Sequence, residues 1–275
     1  MSTRPHAVIG ATGQQGGATA RALLAAGAPV RALVRDPQAA KARALAEAGA
    51  SLVRADLTDR ASLREAFEDV AGVFAMTTFA TARGPEGEVH DGVTIAEVAA
   101  EAGVPHVVHS SVGGAERATG IPHFESKRRI EEAFLREGVP TTFVRPVFFM
   151  ENLSPSREDG GVVLRLPMPA DVPLQVIAVA DIGTACAAVA LDPARVPGGA
   201  VEVGGDELTP ARMAQLLGER DGVPGRFEEV PVDGLDEDMR AMFTWFRRLP
   251  AYRADFDLTR DLVPDVADFA TWARR

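Results

Sequence analysis

The chain of 275 residues has one cysteine, Cys186, and one tyrosine, Tyr252. A single cysteine excludes an intramolecular disulfide and any Cys-based zinc site. The five histidines, His6, His90, His106, His109 and His123, show no metal-ligand spacing, so no metal is expected. No apolar run approaches the ~20 residues that a membrane span needs. Met1 to His6 leads straight into an apolar strand without the pattern of a signal peptide, and a reducing cytoplasm is the expected location. Positive charge is also scarce. With 39 acidic against 29 basic residues the net charge is −10, which argues against direct nucleic-acid binding but leaves a protein partner open. No Gly-x-x-x-x-Gly-Lys-Ser/Thr occurs, so kinase and helicase chemistry of that type is excluded. Internal repeats and low-complexity tracts are absent too. The composition, 46% hydrophobic and 25% charged, is that of an ordinary globular protein.

What is present begins at Val8-Ile9-Gly10-Ala11-Thr12-Gly13-Gln14-Gln15-Gly16-Gly17. An apolar run ends in glycines spaced three apart, and a helical pattern follows at once. In a strand–turn–helix of this kind Gly10 permits the tight turn. Gly13 lets backbone approach a pyrophosphate, and Gly16 lets the helix start close against the strand. The helix N-terminus then offers free N–H groups to phosphate oxygens. The context is what separates this pattern from a plain βα turn.

Strands and helices alternate over the first ~150 residues, which predicts a parallel sheet with right-handed crossovers. Predicted strands lie at 29–34, 51–53, 72–76, 104–109 and 141–144, and 77–87 reads as a loop. Helices are expected at 39–48, from a capping box at Ser62, at 89–102 and at 124–136. The later chain is broken by prolines. It suggests a helix capped by Asp181, another started by Thr209-Pro210, and helical spacing from Leu235 to Leu249. The reading is a doubly wound parallel α/β (Rossmann) domain over 1–150 and a smaller, partly helical domain over 151–275. Part of the latter is expected to return to the sheet.

Several residues could carry chemistry. Arg35 follows the second strand, where an NAD enzyme usually has Asp or Glu for the ribose 2′-hydroxyl. An arginine there suits a 2′-phosphate, so NADP(H) is expected over NAD(H). Arg31 and Lys41 could add positive charge. Asp56 ends the third strand, placed equally well to reach an adenine or to form a turn. Thr77 ends the fourth strand near the expected ribose. Ser110 and Ser111 end the fifth, where Ser111 could act as a catalytic hydroxyl or both as plain strand-end residues. Short-chain dehydrogenases carry Tyr-x-x-x-Lys on the next helix. Here His123 and Lys127 hold those positions, on one helix face. His123 could donate a proton near neutral pH, or simply follow Pro122 into the helix. Lys127 is the expected ribose ligand.

Taken together, Gly10-Ala11-Thr12-Gly13-Gln14-Gln15-Gly16-Gly17, Val34-Arg35-Asp36-Pro37, Asp56-Leu57-Thr58-Asp59, His123-Phe124-Glu125-Ser126-Lys127 and Arg145-Pro146-Val147-Phe148-Phe149-Met150-Glu151-Asn152 resemble the NmrA-like family of atypical short-chain dehydrogenase/reductases. The resemblance implies cofactor contacts at Gly10, Thr12, Gly13, Gln15, Gly16, Arg35, Thr77 and Lys127. It also implies a cleft to which Phe148, Phe149 and Asn152 contribute, although either Phe could equally be core. It further implies one of two functions. The first is an NADP(H)-dependent oxidoreductase passing hydride to a small apolar, quinone-like acceptor. The other is a non-catalytic NAD(P)(H) redox sensor, a transcriptional co-regulator acting through a protein partner.

Overall fold

The computed structural model describes residues 3–275. Its first half runs β1 (His6–Val8), α1 (Gln14–Ala25), β2 (Val30–Val34), α2 (Ala40–Glu47), β3 (Ser51–Arg54), α3 (Arg60–Phe67), β4 (Gly72–Met76), α4 (Gly84–Glu101), β5 (Val107–Ser110), α5 (Pro122–Glu137) and β6 (Thr141–Pro146). The second half holds β7 (Phe148–Phe149), β8 (Ser156–Glu158), β9 (Gly161–Leu166), β10 (Leu174–Ile177), α6 (Val179–Leu191), β11 (Ala200–Val203), β12 (Asp206–Leu208), α7 (Pro210–Asp221), β13 (Gly225–Glu229), α8 (Glu237–Phe246), α9 (Phe256–Leu262) and α10 (Phe269–Ala273).

Seven parallel strands form the central sheet in the order β11-β6-β5-β4-β1-β2-β3. β1 and β5 are buried along their whole length and β4 up to Met76, which is why they read as unbroken apolar runs. β11 arrives from beyond residue 150 and pairs with β6, Ala200 opposite Phe143. Two three-stranded sheets, β12-β10-β7 and β13-β9-β8, complete the later half. Sequence pattern shows only helices there, because strands of two to six residues are too short to display a period.

Helix starts differ from expectation where a local competitor wins. Asp59, not Ser62, caps α3, its side chain accepting from the amides of Ala61 and Ser62. Gly84-Pro85 opens α4 instead of lying in a loop, with Pro in the first turn where no N–H is needed. Asp181 lies inside α6, and its buried carboxylate accepts from the Ala267 amide. Thr209 does cap α7, accepting from the Arg212 amide.

α6 packs on α1 at a point with no room for a side chain. A Cβ at Gly183 would fall 2.5 Å from the Cβ of Ala18. The later half thereby buttresses the helix that begins at the glycine turn.

Candidate functional site

Strand order reverses beside β1, which has β2 on one side and β4 on the other. In open α/β sheets ligands bind in the crevice at such a point, beyond the carboxyl ends of the strands. Gly10, Thr12 and Gly13 follow β1, Arg35 follows β2, Asp56 follows β3, Thr77 follows β4, and Ser110 and Ser111 end β5. All lie at this edge.

Gly10 has φ +65°, the left-handed region that glycine tolerates. A Cβ at Gly16 would come within 2.3 Å of the Gly10 carbonyl oxygen, so only glycine allows α1 to begin against β1. The N-cap of α1 is Gly13, and no capping side chain takes the first-turn amides. They are left for an anion. Gln15 is held by Ser110, whose hydroxyl donates to Gln15 Oε1 at 2.5 Å. These residues fit a dinucleotide pyrophosphate.

Beyond the end of β2 Arg35 is exposed, and its side chain makes no hydrogen bond or ion pair among the described residues. Asp36, the acidic residue that could have competed for a ribose, accepts from the Gln38 amide at 2.8 Å. A cleft of about 320 Å³ lies between the glycine turn and α2, lined in part by Thr12, Gly13, Arg21 and Lys41. Arg21 and Lys41 are also exposed and without ion pairs among the described residues. Arg31 does not belong to this cationic rim. It donates to the carbonyls of Ala66 and Glu68. Asp56 forms a turn: its Oδ1 accepts from the Thr58 amide at 2.9 Å and hydroxyl at 2.7 Å. Those bonds, helped by the charges of Arg35 and Arg83, hold its carboxyl below the usual range.

Lys127 lies on α5 and is only 8% exposed. Its ammonium donates to Thr77 O at 2.8 Å and to Thr77 Oγ1 at 3.1 Å, and pairs with Glu88 Oε1 at 2.9 Å. An ammonium has three donors, and all three are engaged within the protein. Glu88 is fully buried. Its other oxygen accepts from the Ser126 hydroxyl, and Oε1 also accepts from Thr77 Oγ1 at 3.2 Å. Behind Lys127, burial and then the Lys127 charge hold the His109 ring well below its ordinary pKa. Neither ring nitrogen of His109 has a hydrogen-bond partner.

His123 faces the same segment as Lys127. Its ring stacks on Phe79 at 4.5 Å, two residues beyond Thr77, and meets Phe124 edge-on at 4.7 Å. Its Nδ1 lies 2.6 Å from Asp238 Oδ1. Ser111 is buried, its hydroxyl without a partner and its amide donating to Val144 O. Of the expected cleft residues, Phe148 is core, packed on Phe246 at 6.0 Å. Phe149 is half-buried and Asn152 exposed.

Glu88, Ser126 and Asp238 escape the sequence reading. Glu88 shares the buried face of α4 with Asp91 and Ile95, at the i, i+3, i+7 spacing of a core stripe. A carboxylate in such a stripe is a usable signal. Asp238 offers none, because its partner is 115 residues away.

A model of the NmrA-like family matches residues 4–261. The (4-alkanoyl-5-oxo-2,5-dihydrofuran-3-yl)methyl phosphate reductase of Streptomyces griseus is 35% identical over 245 residues, covering 86% of this chain and 80% of its own. The NAD(P)H azoreductase of Xenophilus azovorans is 31% identical over 247 residues, with 86% and 80% covered. The crystal structure of NmrA, a negative transcriptional regulator, in complex with NAD superposes with a TM-score of 0.86 over 100% of this chain and 95% of its own, at 21% identity. That last likeness is one of fold. On the family match and the two relatives together, this chain belongs to the NmrA-like family.

Proposed function

We propose that this chain is an NAD(P)H-dependent reductase that prefers NADP(H) and acts on a small, apolar, conjugated acceptor such as a quinone. The observation that carries the reading is the convergence, at one sheet edge, of an uncapped helix behind a glycine turn with the unpaired guanidinium of Arg35. The two relatives named as reductases support the activity, one of them named for NAD(P)H.

Arg35 would hold the 2′-phosphate through its planar fork, with Arg21 and Lys41 adding positive charge nearby. The α1 N-terminus would bind the pyrophosphate. The bound dinucleotide would supply the hydride. Lys127 donates to the Thr77 carbonyl, and the Phe79 ring stacked on His123 offers an apolar surface beside it. A quinone needs little proton assistance, whereas a carbonyl acceptor gains from a proton delivered at His123.

The test is single-turnover oxidation of bound NADPH across quinones, azo dyes and conjugated carbonyls, with NADPH and NADH titrated by calorimetry. At least one acceptor should oxidise bound NADPH. Arg35→Ala should cost NADPH roughly 1.5–3 kcal/mol of binding and leave NADH nearly unchanged. Tight NADPH binding with no acceptor oxidising it would leave the non-catalytic sensor. Equal losses for both cofactors would remove the assigned preference.

A further inference from the structure

We propose that Asp238 is a positioning residue for proton delivery, holding His123 with Nδ1 toward α8 and Nε2 toward the acceptor; the proposal rests on the reductase reading above. Asp238 Oδ1 takes two donors from the same residue, His123 Nδ1 at 2.6 Å and the His123 amide at 3.2 Å. Two contacts fix the ring's rotation and tie the start of α5 to α8. Phe79 on one face and Phe124 at the edge close the remaining freedom. Which nitrogen of a histidine carries the proton is set by the hydrogen bond the other makes. A carboxylate can only accept, so Nδ1 keeps its hydrogen. Nε2 has no protein partner among the described residues and is not sealed from solvent.

The first turn of α8 favours a carboxylate at position 238, but the clasp itself does not require the charge. An amide oxygen at position 238 would accept the same two N–H groups without burying charge. Instead Asp238 Oδ2 is buried with no partner, which is costly. The charge is useful if the ring passes through its cationic form. During reduction of a carbonyl, the imidazolium Nε2–H bond breaks toward the acceptor oxygen as hydride from the dinucleotide reaches the acceptor carbon. The proton forms the new O–H bond and the N–H electron pair stays on Nε2. Nδ1–H remains donated to Asp238, and solvent later restores the Nε2 proton.

The test pairs a spectroscopic readout with kinetics. In ¹⁵N NMR of the imidazole nitrogens, neutral His123 of the wild type should be the Nδ1–H tautomer, whether or not any acceptor turns over. The Nε2–H tautomer would overturn the proposal. With a conjugated ketone, Asp238→Asn should lower kcat by about 10²-fold, the low end for general acid catalysis, with NADPH affinity retained. His123→Gln should lose as much, and the double variant no more than His123→Gln alone. Independent, multiplying losses, or NADPH affinity falling in step with kcat, would make Asp238 merely structural. Wild-type protein that never oxidises NADPH, yet shows the Nδ1–H tautomer, would fail the reductase reading and leave the clasp geometry standing.

Discussion

Lys127 sits where the i, i+4 spacing from His123 puts it, yet its chemistry is set by a residue the spacing does not reveal. Glu88 is 39 positions away and supplies the counter-charge to a buried ammonium. Removing one partner of a buried pair usually costs about 3–5 kcal/mol, because the other charge is left uncompensated. Glu88→Gln should therefore lower stability strongly in urea unfolding, and adding Lys127→Met should recover part of the loss. Purely additive losses would mean that the two charges are not coupled. The positions of the glycines, Arg35 and Lys127 were legible because each is defined by its distance from the end of its own strand or helix, whereas the expected ribose contact of Lys127 meets an ammonium already engaged by Thr77 and Glu88. Asp238 was not legible, since long-range pairing leaves no periodic trace, and Glu88 showed only as a carboxylate in the core stripe of α4. Asp56 was legible only as a choice, and the neighbouring Thr58 decides it for the turn.

At the scale of elements, the βα alternation was readable because buried parallel strands are continuous apolar runs bounded by glycine and proline. The returning strand β11 reads as an edge only once its pairing with β6 is seen. The contact of α6 with α1 is a second long-range feature, and it has a measurable weight. A Cβ added at Gly183 would lie 2.5 Å from the Cβ of Ala18, so Gly183→Ala must push the helices apart. Overpacking of this kind costs typically 1–3 kcal/mol. Gly183→Ala should lower the urea midpoint and also weaken NADPH binding, because α1 carries the glycine turn. Unchanged stability would show that α6 can slide without cost.

For the whole molecule, three histidines at or beside the sheet, His6 and His109 buried and His106 half-buried, bear on stability in acid. Burial lowers the pKa of His6, His106 and His109, in His109 well below the ordinary 6.5. As pH falls below about 6.5 the unfolded chain takes up protons that the folded chain refuses, so stability declines with falling pH in that window. Each such proton contributes a slope of up to ~1.4 kcal/mol per pH unit. His109→Leu should flatten the slope between pH 5 and 6.5 by up to one proton, read from urea midpoints across that range. An unaltered slope would mean that His109 takes up its proton in the folded state too.

The clasp between His123 and α8 also bears on how the protein is made. Every strand end that would meet a dinucleotide has left the ribosome well before Asp238 has been added. At 5–20 residues per second the interval between residues 123 and 238 is roughly 6–23 s. During that time a nascent or truncated chain has the glycine turn and Lys127 but no anchor for the imidazole. On the proposed function, dinucleotide capture and proton delivery are thus encoded in separate stretches of the message, and a half-made chain would lack the means to spend reducing equivalents on carbonyl acceptors.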